Sequence, residues 1–159
     1  PPYWPLTLQH YAGDVHILRL PVSLESDGLR IDTMEGFHPG GSRIFRLRYA
    51  GKTLVYATDQ EPDEAGMAAL AVFAQGADLL LYDGQYTREG YEACRGFGHS
   101  TAEKGAELME KSGIRRLLLV HHDPHADDEE LAGRENAMGR ADVRWAREGA
   151  ELRQSRGKR

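Results

Sequence analysis

The chain has a single cysteine, Cys94, among its 159 residues. One thiol excludes a disulfide framework, a thiolate zinc cluster and a C-x-x-C redox pair, and it fits a reducing, cytoplasmic setting. No His or Asn spacing supports Cys94 as a nucleophile, so it reads as a spectator thiol. No apolar run approaches the ~20 residues of a membrane-spanning helix, and no signal-peptide pattern is visible, so no membrane partner is expected. Neither sign of charge dominates. Twenty Lys and Arg against 25 Asp and Glu leave a net charge of −5, and the charges are interspersed, which offers no basic face to a nucleic acid. Repeats and low-complexity segments are also absent.

The length suits one domain with a real core. The chain opens on Pro1-Pro2-Tyr3-Trp4-Pro5 with no initiator Met, so residues 1–13 read as an extended lead-in from something longer. The basic residues 154–159 read as a frayed tail. Between them, residues 15–21 (VHILRLP) and 29–34 (LRIDTM) predict strands, and the Gly-Pro-rich stretch 36–41 breaks the pattern. Residues 43–49 and 53–57 predict a hairpin joined by Ala50-Gly51-Lys52. A helix led by Pro62 in its first turn follows and closes at Gly76. Residues 78–82 (DLLLY) predict a buried strand, and 88–97 a loop. Ser100 or Thr101 caps a helix running to Ser112, with Glu103 in its first turn. Residues 117–120 (LLLV) predict a strand covered on both faces, residues 127–138 a helix, and 143–146 with 150–152 a closing hairpin. Strand pairs giving way to alternating strand and helix imply an α/β fold with a mixed sheet and helices on at least one face.

Four strand or loop ends carry side chains suited to metals or proton transfer: His38, Asp59, His99 and His121. Imidazole nitrogen and carboxylate oxygen are the donors that zinc, iron and manganese sites share, and strand ends are where α/β folds place their chemistry. With seven histidines in the chain, spacing alone leaves a shared site and unrelated loop histidines both open. His121 and His122 leave a strand in opposite directions, so both cannot readily face one ion.

The succession GFHPGGS, LVYATDQE, DLLLYDGQYT, GFGHSTAEKGAEL and RRLLLVHHDP resembles the second half of a metallo-β-lactamase-fold hydrolase. More narrowly, it is similar to the phosphodiesterase branch that includes ribonuclease Z and cyclic-phosphate phosphodiesterases. The resemblance spans about residues 3–152. It implies the C-terminal half of an αβ/βα sandwich over residues 14–153, with helices on the outer face of the sheet. It implies His38 as a ligand of one metal, Asp59 as the carboxylate bridging two, and His121 as a ligand of the second. His99, in GHST, matches a histidine beside the scissile phosphate, with Asp83 in the place of a glutamate that orients it. Asp123 reads as a loop cap or a support for a ligand, and His125 as solvated. Tyr86, Tyr91 and Phe97 suit either an aromatic wall for a base or ribose, or loop packing.

The cofactors so implied are two divalent ions, zinc foremost, with manganese or iron as alternatives. The implied activity is hydrolysis of a cyclic nucleotide or another small phosphodiester by water activated between them. A ribonuclease Z-like cut at an RNA 3′ end is the alternative, the one reading with a nucleic-acid partner; a non-catalytic half that needs a partner chain is another. The family's His-x-His-x-Asp-His signature does not occur in these residues. The expected partners are therefore the missing N-terminal half of the same domain and, as an option, a second copy in a homodimer. The isolated chain is expected to be inactive.

Overall fold

Two tight reversals organise the first part of the molecule. At Asp27-Gly28 and Ala50-Gly51 all four residues take positive φ, between 49 and 76°, the backbone of the two-residue hairpin turn whose twist matches its strands. The first joins β1 (Ser23–Ser26) to β2 (Leu29–Glu35) and the second joins β3 (Arg43–Tyr49) to β4 (Lys52–Ala57). The structure, a computed structural model, describes Gly13 and residues 23–152. The expected lead-in, the strand at 15–21 and the basic tail lie outside them.

From β4 onward the chain changes habit. α1 (Glu64–Ala74), β5 (Leu79–Asp83), α2 (Arg88–Cys94), α3 (Ala102–Ser112), β6 (Leu117–Val120), α4 (Asp128–Met138) and β7 (Val143–Trp145) follow in order. Among the described residues the seven strands form one sheet in sequential order, antiparallel from β1 to β4 and parallel from β4 to β7. The α/β class and the mixed sheet are as expected. In a parallel run every strand ends on the same edge, so the residues after β4, β5 and β6 are brought side by side.

One face of the sheet carries Val55, Leu80, Tyr82, Leu117, Leu119, Val143 and Trp145, which join Met67 and Leu70 of α1 and Leu108 and Met109 of α3 in a single buried core. Burial of each such large side chain contributes about 1.5–3 kcal/mol. α4 adds Leu131 and Met138 at the β7 end. α3 lies close because Gly105 has no side chain: a Cβ there would stand 2.9 Å from the Tyr82 ring and 3.2 Å from Leu117. On the opposite face Leu47, Leu54, Leu79, Leu81 and Leu118 are only half-buried, and Tyr56 is exposed. Among the described residues no helix is long and apolar enough to cross a membrane.

Three local expectations are corrected. Pro62 precedes the helix rather than opening it: Asp63 is the N-cap, its carboxylate accepting from the Gly66 amide at 2.7 Å, a bond that starts the helix at Glu64. The expected loop at 88–97 contains α2, capped by Thr87. The closing hairpin does not form, because β7 pairs in parallel with β6 and residues 150–152 carry no strand. Of the two cap candidates Thr101 is the one used. Ser100 is fully buried and meets the Tyr82 hydroxyl at 3.1 Å.

Asp78 fastens the start of the parallel run. Its carboxylate accepts from the Thr53 amide at 3.0 Å and the Lys52 ammonium at 3.1 Å, and Arg115 lies 3.4 Å away. Burial acts to raise its pKa, but the Thr53 amide and the Lys52 and Arg115 charges outweigh it, and the carboxyl ends below its ordinary value. A lowered folded pKa stabilises the fold above the unfolded value and loses that contribution as pH falls through the folded one. Asp78→Asn is therefore expected to cost about 1–3 kcal/mol near neutrality. The gap to the unmodified chain should close by about pH 3, as read from urea midpoints. An equal gap at both pH values would show that the charge of Asp78 is not what matters.

Candidate metal centre

The site is built at the edge where β4, β5 and β6 end. Asp59 follows β4 after Thr58, Asp83 is the last residue of β5, and His121 follows β6 directly. His99 arrives on the loop that enters α3. One ligand-type atom from each of Asp59, Asp83, His99 and His121 lies within 4.8 Å of the others. Asp59 and His121 both have positive φ, 52° and 58°, and apart from the hairpin residues Asp27 and Ala50 they are the non-glycine residues so placed among those described. That conformation costs of order 1–3 kcal/mol and gathers at functional sites. Here it turns two strand-end side chains into one space instead of letting them alternate.

His121 Nε2 stands 3.3 Å from an Asp59 carboxylate oxygen, a spacing at which one cation can accept both. Each is more than a third exposed, at 39% and 45%. His122 turns away, its Nε2 lying 3.2 Å from the Ala146 carbonyl oxygen. Of the two neighbours it is therefore His121 that the structure brings into the cluster.

Asp83 is fully buried and its oxygens are already engaged. One accepts from the Asp59 amide at 3.0 Å and meets His99 Nδ1 at 2.9 Å; the other accepts from the Gln85 and Ser100 amides, both at 3.2 Å. With both oxygens so used, Asp83 supports the site rather than offering a free donor. His99, bound through Nδ1, is held in the tautomer that leaves Nε2 free. Its ring stacks on His121 with centroids 4.7 Å apart and planes 14° from parallel, and Nδ1 is 3.9 Å from Asp59. Tyr86 meets the His99 ring edge-on at 6.1 Å.

His38 lies outside this group of four. Its ring contacts His99 edge-on, centroids 5.3 Å apart, and its Nδ1 accepts from the Gly40 amide at 3.1 Å. In that arrangement the neutral ring carries its proton on Nε2, so ligation through Nε2 requires the Gly40 bond to be released. Of the aromatic candidates, Tyr91 donates to Glu61 at 2.7 Å and lies beneath the Lys104 ammonium, while Phe97 is exposed. The donor set of carboxylate and imidazole fits zinc, manganese or iron and contains no soft thiolate.

Glu61 escaped the sequence reading. Its carboxylate accepts from the Gly96 and Gly98 amides at 2.9 Å as well as from Tyr91. Burial alone would raise its carboxyl, but those donors and the Lys104 charge bring it below its ordinary value. Its place two residues after Asp59, with Gly96-Phe97-Gly98 just before His99, was the available signal.

Side chains for metal and proton chemistry, set at the ends of parallel strands in a mixed sheet, define a metallo-β-lactamase-type architecture. Residues 7–122 match the family described as the beta-lactamase superfamily domain, and the chain belongs to that family. Ribonuclease Z of Brevibacillus brevis is 34% identical over 80 residues, covering 50% of this chain and 24% of that protein. The chain thus matches about a quarter of the length of that curated relative. Among solved structures, the metallo-beta-lactamase fold protein YhfI from Bacillus subtilis superposes with a TM-score of 0.65 at 19% identity, over 80% of this chain and 51% of that one. A diphosphatase from the PhnP family does so with a TM-score of 0.62 at 17% identity, over 93% and 53%. These two likenesses establish the fold.

Proposed function

We propose that this chain supplies one side of the dinuclear centre of a metal-dependent phosphodiesterase, as the C-terminal half (residues 14–153) of the domain. The observation that supports it most is the pair made by buried Asp83 and partly buried His99, standing beside Asp59 and His121. A carboxylate-held imidazole next to a candidate metal site suits a reaction in which a leaving oxygen must be protonated. Divalent ions, when bound, supply a nucleophile at neutral pH and absorb charge on a phosphoryl oxygen. Asp59 would bridge two ions and His121 would hold one. His38 would join them once its Gly40 bond is released, and the remaining ligands would come from the N-terminal half of the domain. His99 Nε2 would face the substrate and, with the ring in its doubly protonated form, donate its proton to the departing oxygen.

A small phosphodiester, such as a cyclic nucleotide, is the preferred substrate, because a net charge of −5 works against holding a polyanion. A ribonuclease Z-like cut at an RNA 3′ end is the second reading, favoured by the curated relative's name. Zinc is the proposed metal and the cytoplasm the proposed compartment, given one free cysteine.

Zinc titration of the chain, followed by calorimetry, tests the metal assignment. Asp59→Ala is expected to weaken binding about 100-fold or more, since a bridging carboxylate serves both ions, while His125→Ala leaves it unchanged. Undiminished zinc affinity in Asp59→Ala would sink the assignment. Bis-aryl phosphate, cyclic nucleotide and precursor RNA, offered to the complete domain, then separate the two substrate readings.

A further inference from the structure

Glu61 sits where three site-bearing segments meet. Its amide donates to the Phe37 carbonyl at 2.6 Å, next to His38. Its own backbone continues from Asp59. Its carboxylate fills the concavity made by the Gly96 and Gly98 amides, just before His99, with all three amide-to-oxygen distances at 2.9 Å. Both glycines have positive φ, 91° and 96°, the conformation in which neighbouring amides converge on an anion. Gly98 also permits the close approach that follows: a Cβ there would stand 2.2 Å from the His38 ring and 2.7 Å from Pro39. The Tyr91 hydroxyl, 2.7 Å from the carboxylate and 3.1 Å from Lys104 Nζ, closes the remaining side.

We propose that Glu61 is a positioning residue: its carboxylate occupies the Gly96–Gly98 anion nest and so holds His99 against Asp83 and the His99 loop against His38. Without the carboxylate the two amides lose the acceptor on which they converge. The loop then has no reason to keep two left-handed glycines, and His99 loses the backbone that aims Nδ1 at Asp83. The proposal rests on the reading of His99 as the group that acts on substrate, but its test needs no turnover.

The experiment compares the 15N-labelled full chain with Glu61→Gln, Glu61→Asp and Tyr91→Phe, by amide hydrogen exchange and by ring-nitrogen NMR of His99. In Glu61→Gln, exchange at Gly96 and Gly98 should quicken about tenfold or more as the loop opens locally. The His99 ring should pass from one tautomer to a mixture, with the core amides of Leu80 and Leu119 unmoved. Glu61→Asp should restore part of the effect, and Tyr91→Phe should quicken the same two amides by a smaller factor. Unchanged exchange and an unchanged ring spectrum in a folded Glu61→Gln overturn the proposal. If that variant loses its fold, Tyr91→Phe decides: no change at Gly96 and Gly98 in it overturns the proposal too. Failure here counts against Glu61 alone, whereas undiminished hydrolysis in His99→Ala counts against the role of His99.

Discussion

Replacing His99 with Ala is expected to lower turnover of a bis-aryl phosphodiester by about 10²–10⁴-fold in the complete domain, the range a positioned general acid supplies. Metal content should stay constant. The second half of that expectation discriminates, because the geometry admits two roles for the ring. A histidine bonded through Nδ1 to a carboxylate, as His99 is to Asp83 at 2.9 Å, is also how metal ligands are held. If His99→Ala empties the site, the residue is a ligand and the proton donor must be sought elsewhere. If turnover persists with metal bound, neither role is correct. Tyr86→Phe serves as a control for ring packing, since Tyr86 meets His99 through its aromatic edge.

Replacing Asp83 with Ala should destabilise the fold by about 3–5 kcal/mol, because it strands the amides of Asp59, Gln85 and Ser100 as well as His99. An unsatisfied buried donor costs about 1–3 kcal/mol, and some of these amides can recover part of that by admitting water from the open side of the site. At about 2–4 °C per kcal/mol for a chain of this size, the melting midpoint should fall by roughly 10 °C. Asp83→Asn, which keeps one oxygen as an acceptor, should fall between the two. A midpoint for Asp83→Ala within about 1 °C of the unmodified chain would mean that the network relaxes without cost. The prediction concerns folding alone and stands whatever the domain hydrolyses.

Much of the fold was legible because it is written in local patterns. RIFRLRY and TLVYA alternate, LLLV is continuous, and Thr101 and Asp127 cap helices in the ordinary way; these places need only the chain's own neighbours to specify them. The β1–β2 hairpin is only half written in local pattern. Asp27-Gly28 is the turn chemistry such a reversal demands, but its first strand, SLES, has no apolar face to draw attention. The expected closing hairpin failed for the opposite reason. Residues 143–146 carry a strand pattern, yet that pattern does not say whether the partner is the next segment or β6, and the buried Trp145 decides for β6.

The sequence by itself determined strands β2 to β7, helices α1, α3 and α4, the Ala50-Gly51 turn and the residues with chemistry at strand ends, because each depends on side chains a few positions apart. Tertiary structure alone decided how those ends combine. It placed His121 in the cluster and His122 against Ala146, set His38 apart with its Nδ1 bound to Gly40, and tied Asp83 to four donors and Glu61 to the Gly96–Gly98 loop. The hydrogen-bonded partners among these lie 16 to 37 residues apart along the chain wherever they cross between segments. They meet because parallel strands end on a common edge and because Asp59 and His121 adopt a left-handed backbone there, and neither leaves a periodicity in the sequence.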